Sequence, residues 1–72
     1  MKQKNTIQVK GQVIEALPSL LFKVKLDSGE ELLVHLSGLM RINHIKILPG
    51  DIVLVERTPY DPKRGRIIRR LK

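Results

Sequence analysis

The sequence predicts an all-β fold, a small closed barrel of five strands with one short helix between the third and the fourth. Three observations carry that prediction. Apolar residues recur at every second position, as in Leu20, Phe22, Val24 and Leu26 set against Lys23 and Lys25, which is the period of a half-buried strand. Turn chemistry separates the runs at Leu17-Pro18-Ser19, Asp27-Ser28-Gly29-Glu30 and Pro49-Gly50-Asp51. With 72 residues and no cysteine, the chain is close to the lower size limit for folding without a disulfide or metal staple. Joining the sheet into a barrel removes its exposed edges and suits so small a core.

Taken in order, Ile7, Val9 and Val13 share a face with Gly11 and define the first strand. A glycine in mid-strand has no side chain to pack and marks a bend or bulge. Leu17-Pro18-Ser19 reads as a hairpin connection to the second strand, Leu20 to Leu26. Gly29 supplies the positive φ of the next turn, and Leu32, Leu33, Val34 and Leu36 give the third strand. Alternation then stops. Ser37 is a candidate N-cap for one or two helical turns over residues 37–43, and Ile42, Ile45, Ile47 and Leu48 give this segment an apolar side. Ile52-Val53-Leu54-Val55 is the fourth strand. Thr58 to Gly65 reads as a Pro- and Gly-punctuated loop, and Arg66-Ile67-Ile68-Arg69 as a short fifth strand with both arginines outward and an isoleucine inward. Three strands, a helix and two strands in this length indicate an OB-type barrel with the helix plugging one end. An SH3-like barrel, the main rival, lacks that helix. The whole chain, 1–72, is expected to form one domain with short flexible ends at about 1–5 and at 71–72.

Charge is unevenly distributed. The net charge is +7, and six of the fourteen basic residues fall within 63–72, where there is no acid; the rest of the chain holds eight basic residues against seven acidic ones. A polyanion is the natural partner for such a field, nucleic acid ahead of an anionic membrane surface. No apolar run approaches the roughly 18 residues of a membrane span, and the N-terminal stretch has no signal or transit pattern.

Catalysis finds little support. His35 and His44 stand without metal-ligand spacing, and the sequence marks no carboxylate to complete a site. Glu30 and Glu31 are neighbours on a strand and point to opposite faces. The glycines are too scattered for a phosphate loop, so no enzyme, cofactor or metal is expected. Binding is better served. Single-strand coat proteins stack bases on aromatic side chains, whereas this chain has one Phe and one Tyr. Phe22 belongs to the core by its alternation; Tyr60 is placed to pack on Pro59 or to touch a partner. Many arginines and few rings suit phosphate and shape recognition of folded RNA.

Three blocks, "GQVIEALPSLLFKVKLDSG", "HLSGLMRINHIKILPGD" and "RTPYDPKRGRII", resemble successive segments of the bacterial-type translation initiation factor one family, over essentially the whole chain. The resemblance implies an S1-like OB barrel that is not catalytic and acts as a monomer. Its implied partners are the decoding-centre rRNA of the small ribosomal subunit, an adjacent ribosomal protein, and the other initiation factors, including the initiation GTPase. It implies occupancy of the aminoacyl-tRNA site and exclusion of premature tRNA. The family's RNA-facing residues fall on Arg41, His44 and Lys46 in the helix segment and on Arg64, Arg66 and Arg70 at the basic end. Lys23, Lys63 and Arg69 complete the candidate set. The sequence departs from the family pattern at Leu39, His44, Lys46 and Arg69. The expected location is the bacterial cytoplasm, or the stroma of a plastid or another organelle that encodes the factor. Two rivals are a cold-shock-type RNA chaperone on the same barrel and a protein-interaction module with an incidental basic end.

Overall fold

The computed structural model describes residues 6–43, 45–58 and 60–72, the side chains of Asp61 and Pro62 apart. Five strands, β1 (Ile7–Leu17), β2 (Leu21–Leu26), β3 (Glu31–Leu36), β4 (Ile52–Thr58) and β5 (Asp61–Arg70), flank one helix, α1 (Gly38–Ile42). They close into a barrel in the order β1-β2-β3-β5-β4, the OB topology. Neighbours are antiparallel except β3 and β5, which run parallel.

Alternation translates directly into burial. In β2 and β3, Phe22, Val24, Leu26, Leu32, Val34 and Leu36 point inward, and Val13, Val53, Val55 and Ile67 meet them from the other strands. The core is therefore mostly aliphatic, with Phe22 as its one ring among the described residues. Each such side chain contributes about 1.5–3 kcal/mol on burial.

Two tight strand approaches require glycine. A Cβ on Gly11 would lie 2.5 Å from Val24 Cγ1, and one on Gly65 would lie 2.7 Å from Val55 Cγ1. At Gly11 the first strand pairs with both Leu26 of β2 and Val53 of β4, so the expected bend is the place where β1 passes from one neighbour to the other. A bulge follows, with Ile14 unpaired between Val13 and Glu15.

The turns follow their residue chemistry. Gly29 has φ 92°. At the other turn, Asp51 N–H donates to the Leu48 carbonyl at 3.0 Å, with Pro49 second and Gly50 third at φ 98°, the signature of a type II turn. Asp51 Oδ2 also accepts from Leu48 N–H at 2.9 Å.

Three sequence expectations are corrected. Leu20 is not the first inward residue of β2. It sits half exposed in a 3-10 turn, Pro18–Leu20, where Ser19 and Leu20 take φ 66° and 58° to reverse the chain. The loop expected from Thr58 to Gly65 is much shorter, because β5 begins at Asp61; Lys63 and Arg64 are strand residues. The apolar side read into the helix segment does not cover the core: Ile42 is 72% exposed, and Ile45 and Leu48 also face outward. Among the described residues of that segment, Met40 and Ile47 turn inward and close the barrel end. Beyond β5, Leu71 N–H donates to the Ile52 carbonyl at 2.7 Å and Ile52 N–H to the Lys72 carbonyl at 3.0 Å. The expected flexible stretch 1–5 lies outside the described residues.

Ser37 caps α1 as its sequence position suggests. Its side-chain oxygen accepts from Met40 N–H at 3.3 Å, and its own N–H donates to the Ile67 carbonyl at 3.0 Å. The first bond relieves an orphan donor of the first turn. The second ties the helix start to β5. Ser37→Ala keeps the backbone tie and loses the cap, so it is expected to cost about 1 kcal/mol in a urea titration, with an unchanged m-value.

Candidate nucleic-acid interface

Strand register decides which outward side chains share a patch. Leu33 of β3 lies between Lys23 of β2 and Arg64 of β5, and His35 lies between Leu21 of β2 and Arg66 of β5. Two rows thus cross the β2–β3–β5 surface, one with Lys23 and Arg64 on either side of Leu33, the other with His35 between Leu21 and Arg66. Gly65, between the two arginines, lets β5 lie tight against β4 on its other side, while Arg64 and Arg66 project outward on either side of it.

A shallow groove of about 560 Å³ runs along this surface, lined by Leu21, Leu33, His35, Arg57, Arg64 and Arg66, among others. Leu21 and Leu33 supply an apolar floor. The guanidinium groups offer planar donor forks that match phosphate oxygens or lie flat on a base. Such a groove can hold an anionic, partly unstacked strand.

Three cations at or beside the groove are paired. Arg66 bonds Glu56 Oε1, Arg57 Nη1 lies 3.1 Å from Glu30 Oε2, and Lys23 Nζ lies 3.6 Å from Glu15 Oε1. Exposed pairs of this kind contribute at most about 1 kcal/mol, so phosphate can replace the carboxylate at Lys23 or Arg66. Arg57 is more enclosed, and its pair holds β4 to the β2–β3 turn. Arg64 carries no ion pair to any described residue and is the readiest phosphate ligand of the set.

The remaining candidates are distributed elsewhere. Lys63 is exposed near the start of β5. Arg69 lies across from Leu54, which also faces Lys10, so it belongs to a separate row over β1 and β4. The bulge between Leu54 and Val55 leaves Ile68 unpaired and produces that change of direction. Arg41 and Lys46 are exposed on α1 and the segment after it. Arg70 turns toward that segment and donates from Nη1 to the Lys46 carbonyl at 3.0 Å. His44 lies outside the described residues, as does Pro59, the expected packing partner of Tyr60. Tyr60 itself is 81% exposed.

His35 and Arg57 are groove residues that the sequence reading does not select. Alternation alone puts His35 outward, between inward Val34 and Leu36. Its place beside Arg66 depends on the parallel β3–β5 pairing, which no local pattern encodes. Among the described residues, no group of three or more His, Asp or Glu is arranged to hold a metal ion.

A family model described as translation initiation factor 1A / IF-1 matches residues 1–72. Among solved structures, the solution structure of translation initiation factor IF-1 from the Wolbachia endosymbiont strain TRS of Brugia malayi is 48% identical. The superposition has a TM-score of 0.81 and covers 99% of this chain and 84% of that one. YjeQ from Thermotoga maritima is 30% identical with a TM-score of 0.72, over 92% of this chain and 23% of that longer one.

Proposed function

The chain belongs to the translation initiation factor 1A / IF-1 family, and from that premise we propose that it binds small-subunit rRNA at the aminoacyl-tRNA (decoding) site. There it blocks premature tRNA binding and supports the other initiation factors, including the initiation GTPase, in assembling the initiation complex. It acts as a monomer without catalysis of its own, in the cytoplasm of a bacterium or the stroma of an organelle. An adjacent ribosomal protein completes its binding site.

The observation that carries this reading is the assembly of Arg64, Arg66, Lys23 and His35 on one side of a rigid barrel. Phosphate contacts fix register and orientation on folded RNA, and a barrel face holds them at fixed spacing. Lys63, Arg69, Arg41 and Lys46 extend the cationic surface around the barrel, and His44 keeps its place in the proposed set. Phe22 is buried, which leaves Tyr60 as the one exposed aromatic among the described residues. A cold-shock-type chaperone needs more stacking surface than that.

The test is a competition experiment with labelled protein on purified bacterial small subunits. Displacement by aminoacyl-site tRNA, with no displacement by a short unstructured RNA, is the expected result. Displacement by the unstructured RNA would make the protein a general RNA binder. In the same assay, Arg64→Ala is expected to weaken binding about tenfold and to lower the salt slope by about one counterion. Unchanged affinity at low salt would remove Arg64 from the interface.

A further inference from the structure

We propose that Arg70 is a positioning residue for the segment that carries Lys46, and not one of the phosphate ligands. This deepens the function proposed above and rests on it for the role of Lys46, but the geometry behind it belongs to the free protein.

Among the described residues, the segment between α1 and the type II turn has few anchors. At its start, Ile45 N–H donates to the Met40 carbonyl at 3.1 Å. At its end, Leu48 N–H is held by Asp51 Oδ2. Between them, Ile47 inserts into the barrel end while Lys46 faces solvent. The Lys46 carbonyl therefore sits where the chain must hold one side chain in and its neighbour out. Arg70 Nη1 donates to that carbonyl. Among the described residues it is the one side-chain hydrogen bond from β5 to this segment.

Arg70 is well placed for that task because its own backbone is fixed. It lies across from Val53 at the foot of β4, and the next residue, Leu71, hydrogen-bonds to Ile52. Val53 is an inward residue, so Arg70, though exposed, stands on the register row that leads over the barrel end, unlike Arg64, Arg66 and Arg69. A guanidinium that commits a donor to a backbone carbonyl has its orientation set by the protein. Its charge and its remaining donors persist, but the direction in which they point is set by the Lys46 carbonyl.

The experiment compares Arg70→Ala, Arg70→Gln and Arg64→Ala in the full chain, with thermal melts confirming that each variant is folded. Two quantities are read: affinity for bacterial small subunits across a salt series, and amide hydrogen exchange of residues 45–48 in the free protein. The expected result is faster exchange at 45–48 in Arg70→Ala, and binding weakened about threefold to tenfold with the salt slope of the parent. Arg70→Gln, which retains an N–H donor without the charge, is expected to restore part of both. Arg70→Ala combined with Lys46→Ala should weaken binding by less than the product of the two single effects.

A salt slope lowered by about one in Arg70→Ala, with exchange at 45–48 unchanged, would make Arg70 an ordinary phosphate ligand and overturn the proposal. If the parent protein itself fails to bind small subunits, the functional reading falls. The exchange measurement then still decides whether Arg70 holds the segment.

Discussion

Replacing Ile67 with alanine is expected to cost the barrel about 3–4 kcal/mol, read as a lower urea midpoint at constant m-value. Ile67 is fully buried and pairs with Leu36 on one side and Val55 on the other. It therefore occupies the junction where β5 closes the sheet. Truncation removes three carbon atoms from a core rich in β-branched residues, among them Val34, Val53 and Val55, whose side chains have few alternative rotamers. The cavity has little chance to collapse. A chain of this length has about 4–11 kcal/mol of stability in total, so one substitution consumes a large share of it. Ile67→Val, one methylene smaller, should cost about 1 kcal/mol. A cost for alanine no greater than that for valine would mean that the barrel end repacks.

Gly65→Val is expected to be at least as damaging, and its effect should reach the binding surface. The Cβ at this position would lie 2.7 Å from Val55 Cγ1 and 3.0 Å from the Glu56 carbonyl oxygen. A side chain can yield, whereas a carbonyl in a strand ladder cannot yield without breaking its pairing. Overpacking typically costs about 1–3 kcal/mol and occasionally more, and the backbone clash together with the added methyl groups of valine places this substitution above that range. Because Arg64 and Arg66 flank the glycine, any relief gained by moving β5 outward also moves both guanidinium groups relative to His35 and Leu33. At a temperature where the variant is still folded, its affinity for small subunits should therefore fall by more than the single Arg64→Ala loss. Normal affinity in a folded Gly65→Val protein would show that the register of β5 does not set the interface.

Much of the barrel is legible in the sequence because its determinants are local. Phe22, Val24 and Leu26 announce β2 by alternation, Gly29 and Gly50 mark turns that need positive φ, and Ser37 signals the helix start. The start of β5 is hidden for a physical reason. Asp61-Pro62-Lys63-Arg64-Gly65 has the composition of a turn, yet the partner strands β3 and β4 supply its hydrogen bonds, and a proline near the start of a strand sacrifices little of the ladder. Gly65 reads as a breaker, whereas its role is to let two strands approach.

The helix segment misleads for a different reason. A five-residue helix makes little more than one turn, too short for periodicity to identify its inner face. The barrel end has room for Met40 and Ile47 and for little else, so Leu39 and Ile42 remain outside. As for the candidate site, the basic residues are readable from charge alone. Their division into a groove set, a separate row with Arg69, and Arg70 turned toward the Lys46 segment depends on the pairing of β5 with β3 and on the bulge at Ile68. Neither is written in any local run of residues.

The parallel β3–β5 pairing also has a kinetic consequence. The β1–β2, β2–β3 and β4–β5 hairpins join stretches adjacent in the chain, whereas Leu33 to Leu36 must find Arg64 to Ile67 across the helix and the whole of β4. Contacts that close long loops are expected to form late, since the entropy of closure comes before any reward. Like the still longer-range β1–β4 pairing, the meeting of Leu33 and His35 with Arg64 and Arg66 is expected to come after the hairpins, and an unfinished barrel has no assembled groove. An RNA that binds this groove stabilises the closed form by mass action. For so small a chain, the partner's concentration thereby becomes one of the variables that set how much of the protein is folded.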